Sequence, residues 1–193
     1  RGFCVHYLAL HPDLSSIGKK YFIREGVHVH YVGQMHVLKK GDRKYYFSRW
    51  QLARVVIAST WNMTVAALSI KADILYCFKP QPINGTAAVV AKLIKQKPLL
   101  LDCDDYEAAL NKLTGFQKRV FTFFEDVLMP RLAEKITYHT TFLKNRYLHL
   151  GHKEEKFFLL PNGIDRDRFG NIRQEQCDSL RKKHHLYGKK VTL

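Results

Sequence analysis

Three carboxylates fall within four residues at Asp102-Cys-Asp-Asp105, directly behind the apolar run Leu99-Leu-Leu101 and ahead of Tyr106 and Glu107. Carboxylates crowded in this way repel and raise one another's pKa, and are tolerated where they meet a cation, the hydroxyls of a polyol or solvent. The plainer reading is a solvated acidic loop in which Asp104 or Asp105 caps a helix. A second candidate is Lys79-Pro-Gln-Pro-Ile-Asn-Gly-Thr86, which leaves a strand-like run and opens a helical one, so backbone N–H groups and a helix dipole would face a cleft. A connection shaped by prolines and Gly85 explains that loop equally well. His139 and Thr140 end another strand-like run, where a lone His is more often structural than functional. Finally, Pro161-Asn-Gly-Ile-Asp165 closes a further run: Pro161 breaks the strand, Asn162-Gly163 suits a tight turn, and Asp165 can cap the next segment of chain.

The elements that must position these residues read as an alternation. β-branched and aromatic runs occur at Phe3–Leu10, Val27–Val32, Ile74–Phe78, Leu99–Cys103, Ile136–His139, Phe157–Leu160 and from Val191 onward. Between them the spacing predicts helices over Leu14–Arg24, Ser48–Ile70, Thr86–Gln96, Phe116–Ala133, Thr140–Leu150 and Arg173–His185. Continuously apolar strands alternating with helices predict an α/β fold: a Rossmann-like parallel sheet with helices on both faces. Ligands of such sheets bind outside the carboxyl ends of the strands, where Lys79, Asp102, Asp104, Asp105, His139, Thr140, Asn162, Gly163 and Asp165 would gather.

The chain carries 32 basic against 17 acidic residues, and the excess is lopsided: residues 1–101 hold 15 basic and only four acidic. An anionic partner is implied, whether a nucleic acid, an acidic lipid surface or a phosphorylated substrate. The segment from Leu38 to Trp50 reads as a surface loop entering a helix. It sets Tyr45, Tyr46, Phe47 and Trp50, with Trp61 beyond, among Lys39, Lys40, Arg43, Lys44 and Arg49, as an interfacial membrane contact would. Aromatics packing inward from a loop and a core helix is the equal alternative. No apolar stretch reads as a membrane span, because the longest, Ala53 to Ile70, is interrupted by Arg54 and Asn62. For nucleic acid the charge is the only argument, since no zinc finger, RNP-like string, GxxG clamp or basic zipper occurs. Cys4, Cys77, Cys103 and Cys177 show no CxxC pair and no finger spacing, which fits a reducing, cytoplasmic setting.

The string Phe157-Phe-Leu-Leu-Pro-Asn-Gly-Ile-Asp-Arg-Asp-Arg-Phe169 resembles the Pro-Asn-Gly-(Val/Ile)-Asp-x-x-x-Phe signature at the domain junction of GT-B glycosyltransferases of the large retaining family four, agreeing at six defined positions. Ala133-Glu-Lys-Ile-Thr-Tyr-His-Thr-Thr-Phe-Leu-Lys144 and Gly151-His-Lys-Glu-Glu-Lys156 look like the strand, helix and loop that lead to that junction, and Arg1-Gly-Phe-Cys-Val-His-Tyr-Leu8 looks like the family's second strand. The resemblance implies an N-terminal acceptor-binding domain over residues 1–169, lacking its first strand and helix. Residues 170–193 would then be a linker and the start of a truncated donor-binding domain. It implies sugar transfer from a nucleotide-sugar donor, with retention and without metal or other cofactor, to a glycan, lipid or small-molecule acceptor on this chain's side of the cleft. A peripheral position on the inner face of the membrane would suit the charge. Where many family members carry a His in the acidic loop, this chain has Asp102-Cys-Asp-Asp105. A strand ending in Asp-x-Asp also resembles the haloacid dehalogenase phosphotransferases, with Asp102 as nucleophile and Asp104 as proton donor around Mg²⁺. Asp105-Tyr-Glu107 departs from the residues usual at that point in those enzymes.

Overall fold

A computed structural model describes residues 2–110, 113–163, 170 and 173–190. The chain divides into two compact units, Arg1–Leu160 and Pro161–Leu193. Within the first, strands β1 (Val5–His11), β2 (Tyr21–Arg24) and β3 (Val27–Gln34) form one sheet in the order β1-β3-β2, with β1 parallel and β2 antiparallel to β3. A hairpin of β4 (Val37–Lys40) and β5 (Arg43–Tyr46) comes next, then the long helix α1 (Arg49–Ser69). Strands β6 (Leu75–Phe78), β7 (Leu99–Cys103), β8 (Lys135–Tyr138) and β9 (Phe157–Leu159) form a wholly parallel sheet in chain order. Its crossovers are α2 (Pro82–Lys95), a segment of short helices between β7 and β8, and a last helix (Thr141–His149) between β8 and β9. The fold is thus mixed α/β around a four-stranded parallel sheet flanked by helices.

The second sheet is ordered by a plain apolar rule. Leu99, Leu101 and Cys103 alternate onto one face of β7 and are fully buried. They meet Cys77, Ile136 and Phe157 from neighbouring strands, with Met129, Ala133 and Tyr147 from the crossovers. The opposite face of the same strands places Asp102 beside Thr137 in register, and leaves Tyr76, Phe78 and Phe158 about half exposed. α1 is capped as expected: Ser48 and Gln51 form a reciprocal capping box, which satisfies amides that the first turn cannot.

Four local expectations are corrected. Leu14–Arg24 is not a helix but a single 3₁₀ turn (Leu14–Ser16) and then β2. Glu25 and Gly26 both take positive φ (52° and 81°), the pairing of a two-residue hairpin turn that joins β2 to β3. The Leu38–Trp50 loop is largely the β4–β5 hairpin, with Gly41 at φ 55° supplying its turn. α2 begins at Pro82 rather than Thr86, since proline at N1 has no amide to leave unpaired. Phe116–Ala133 is helical without a break over Gly115–Leu132, as expected, but it is not one regular α-helix. The crossover it belongs to is three short pieces, α3 (Glu107–Leu110), α4 (Gly115–Thr122) and α5 (Met129–Leu132), the last two joined through a π-helical turn at Phe123–Leu128. The helix Thr141–His149 is then α6, and Thr140 caps it by accepting from the amide of Leu143. In the second unit α7 runs Gln174–Lys183, while the strand expected from Val191 lies outside the described residues.

Candidate functional site

Lys79, Asp102, Asp104, Asp105 and His139 lie at the carboxyl edge of the parallel sheet, delivered by three successive strand-to-helix loops. After β6 comes Lys79, whose backbone takes φ 59°, unusual for a residue with a side chain. Asn84 stabilises that turn by donating to the carbonyls of Phe78 and Lys79, each at 2.6 Å. The Lys79 amide donates to the Asp102 carbonyl at 3.0 Å, tying the loop to β7.

So held, the Lys79 ammonium sits among the carboxylates of the next loop. Nζ lies 2.7 Å from Glu107 Oε1, 3.1 Å from Asp105 Oδ2 and 3.3 Å from Asp104 Oδ1. The first two are hydrogen bonds; the Asp104 contact is an ion pair without hydrogen-bond geometry. Gln81 closes the cluster by donating to Glu107 Oε2 at 2.8 Å. Burial opposes the charge on Lys79, but the hydrogen bonds to Glu107 and Asp105 outweigh it and raise the ammonium's pKa. Among the described residues one cation faces three carboxylates here, an arrangement suited to hydroxyl or ammonium donors.

A second set of polar groups lies on the strands. Asp102 is buried, and its Oδ1 accepts from the Thr137 hydroxyl at 2.7 Å and from His139 Nε2 at 3.2 Å. In a neutral ring, donation from Nε2 leaves the lone pair on Nδ1. That atom is buried and meets no hydrogen-bond partner among the described residues. The sequence placed no His in the acidic loop; the structure supplies one to the same carboxylate from the neighbouring strand. Thr140, by contrast, is exposed and spends its hydroxyl on the α6 cap. Asn162 and Gly163 are exposed at the start of the second unit, and Asp165 lies outside the described residues.

Behind this edge are residues that the sequence did not single out. Glu125 is buried and accepts from the amides of Glu107 and Ala108 at 2.8 and 3.0 Å, capping the turn that carries Glu107. Burial pushes its carboxyl up to about 7, against the lowering effect of those two amides. Adjacent Asp126 pairs with Arg146 of α6 through two hydrogen bonds, and the Arg146 guanidinium lies over the Tyr106 ring at 3.8 Å. The signal was present, since Glu125-Asp126 interrupts an apolar helix; both residues are buried within the π turn.

The basic and aromatic segment lies elsewhere. Lys39 stands opposite Lys44, and Lys40 opposite Arg43, across the β4–β5 hairpin. These cations are exposed, as is Arg49, and Tyr46 (81%), Trp50 (83%) and Trp61 (69%) are exposed rather than packed inward. α1 runs unbroken through Arg54 and Asn62 and is long and apolar enough to cross a membrane by length and composition, contrary to the expectation from sequence. Ser59 and Met63 are nevertheless buried, and Ser59 donates to the Gln34 carbonyl of β3 at 2.8 Å.

No protein-family model matches the chain, and no curated protein matches it. Among solved structures it is similar to Anabaena Alr3699/HepE in complex with UDP and glucose, with TM-score 0.49 and 16% identity over 83% of this chain and 37% of that one. For the same protein in complex with UDP-glucose the values are TM-score 0.45 and 16% identity, over 76% and 38% of the two chains. This chain therefore spans little more than a third of the length of those structures.

Proposed function

We propose that this chain forms the acceptor side of a retaining glycosyltransferase that moves a sugar from a nucleotide-sugar donor. The observation that carries the reading is the polar edge itself. Lys79, Asp102, Asp104, Asp105, Glu107 and His139 gather where an open α/β sheet binds its ligands, and their excess of acceptor oxygens suits the hydroxyls of a sugar or polyol. The Pro161–Phe169 string, similar to the domain-junction signature of the GT-B enzymes, supports the same class. In this reading the exposed Asp105 and the part-buried Asp104 bind acceptor hydroxyls. Lys79 holds the two carboxylates in place. His139, oriented by Asp102, stiffens the strand ends beneath the acceptor. A second domain, beyond these residues, would hold the donor's phosphates and its leaving group. The phosphotransferase alternative is weaker, because Asp102 Oδ1 is already engaged by Thr137 and His139.

The test is transfer by the full-length enzyme to its acceptor. Replacing Asp104 and Asp105 together by Ala should lower kcat/KM about 10²-fold, the scale on which misplaced substrates lose rate, while leaving donor affinity unchanged. Wild-type turnover would reduce the loop to a solvated edge. Phosphate-ester hydrolysis that requires Mg²⁺ and is abolished by Asp102→Asn would favour the alternative.

The exposure of Tyr46, Trp50 and Trp61 beside Lys39, Lys40, Arg43, Lys44 and Arg49 supports a further element of the proposal, docking on an anionic membrane. Each basic group near such a surface contributes about 1 kcal/mol. The protein should sediment with phosphatidylserine vesicles at low salt, and a variant with these five residues neutralised should stay in solution. Equal sedimentation of both would remove the hairpin from membrane binding.

A further inference from the structure

The three-stranded sheet holds a constellation that the transfer reaction does not use. In the parallel register of β1 and β3, His6 stands directly beside His28. Cys4 precedes His6 by two residues and His30 lies two beyond His28, so the strand alternation turns all four toward one face. Tyr21 joins them from β2, in register with His30. Cys4 is exposed and the imidazoles are exposed or half-buried.

The contacts divide this group into an inner and an outer set. Cys4 Sγ lies 3.5 Å from His6 Nε2. His6 and His28 stack with ring centroids 4.6 Å apart, and one ligand atom from each of Cys4, His6 and His28 lies within 4.8 Å of the others. The other ring nitrogens are occupied: His6 Nδ1 is 3.1 Å from His30 Nε2, and the Tyr21 hydroxyl is 2.8 Å from His28 Nδ1. A thiolate at about 2.3 Å and an imidazole at about 2.0–2.1 Å from one tetrahedral ion are about 3.5 Å apart. The Cys4–His6 separation already has that value.

We infer that Cys4 Sγ, His6 Nε2 and His28 Nε2 form a three-ligand site for a zinc-type divalent ion, with His30 and Tyr21 as the outer partners that fix the tautomers of the two ligating rings. The arrangement matches metal-bound histidines generally, whose second nitrogen is held by a hydrogen-bond partner. Borderline ions of the zinc type accept this mixed sulfur and nitrogen set, whereas magnesium and calcium prefer oxygen. Binding replaces the thiol proton by the ion, so one proton leaves per metal taken up, and no oxidation is involved. The fourth position faces solvent and is left to water or an added ligand.

The test uses tag-free, reduced and metal-stripped protein titrated with Zn²⁺ and with Co²⁺. One equivalent should bind, with about one proton released, and Co²⁺ should show a thiolate-to-metal charge-transfer band. Cys4→Ser should abolish that band, and His28→Ala should weaken Zn²⁺ binding at least tenfold. Tyr21→Phe, which removes only an outer partner, should weaken it about tenfold. Cys177→Ser should change nothing. These positions are exposed or only half-buried, so the variants are expected to fold, and circular dichroism checks it. Absence of stoichiometric binding overturns the inference. So does binding unchanged in both Cys4→Ser and His28→Ala, which would locate the ion elsewhere, for instance at the acidic loop.

Discussion

The three-stranded and the four-stranded sheets of the first unit hold together differently. Around the parallel sheet, Leu99, Leu101, Met129 and Ile136 have no exposed surface, and the polar groups behind it are netted into Glu125–amide and Asp126–Arg146 contacts. In residues 2–70 only Val37 and Met63 are buried hydrophobics among the described residues, while Phe3, Val5, Tyr7, Ile57, Trp61 and Val65 lie open. One region has its core within itself. The other presents chemistry and apolar surface outward. Hydrophobic composition alone does not distinguish a wall from a face, because burial depends on what the neighbouring elements cover.

The largest effect should come from the core of the parallel sheet. Leu101→Ala should cost about 2–5 kcal/mol in urea denaturation, whereas Tyr7→Ala on β1 should stay within about 0.5 kcal/mol. Equal losses would erase the contrast.

Glu125 gives the contrast a pH dependence. Its folded carboxyl holds a proton up to about 7, while the unfolded one releases it near 4.5. Between those values the folded state binds more protons, so this group's contribution falls as pH rises through the window and is fully unfavourable above 7. The loss is on the order of 3 kcal/mol at about 1.4 kcal/mol per unit. Glu125→Gln should remove that slope, read as the wild-type minus variant difference in urea midpoint between pH 5 and pH 8. At pH 5 the variant should be weaker by about 1 kcal/mol, since its single carbonyl oxygen serves two amides less well. A difference that is flat with pH would show that the carboxyl ionises freely where it lies.

Gly33 probes the tight seam of the looser region. A Cβ there would stand 2.7 Å from Ser59 Oγ and 3.0 Å from Ser59 Cβ. Gly33→Ala should therefore cost about 1–3 kcal/mol, measured as a shift in thermal midpoint. A neutral result would mean that α1 can lift from β3. The smallest effect belongs to the hairpin, where Lys40 faces Arg43: Lys40→Glu should stabilise by about 0.2–1 kcal/mol at low salt and less at high salt.

Much of the parallel sheet was legible because Leu99–Leu101 and Phe157–Leu159 are continuous apolar runs between clear turn residues. Tyr21–Arg24 was not. Leu14, Ile17 and Tyr21 mimic a helical spacing, and the deciding signal was the quieter Glu25-Gly26 turn. Asp104, Asp105 and Lys79 could be nominated by residue type, but their meeting depends on Lys79 adopting a positive φ, which no propensity announces. The histidine face was hidden for a similar reason. His6 and His28 are 22 positions apart, and only the parallel register makes them neighbours.

The π turn at Phe123–Leu128 sets how this chain can tolerate insertion and deletion. Such a turn is a helix carrying one residue too many. Losing a single codon here would restore a regular helix without breaking the chain's path. The flanking turns would keep their phase, because the widened turn is what absorbs the extra residue, so the change would fall on the placement of Glu125 and Asp126 within it. The spacing of this stretch, as much as the identity of its side chains, is what must be inherited intact. A lineage that lost the extra residue would have to re-seat those carboxylate contacts.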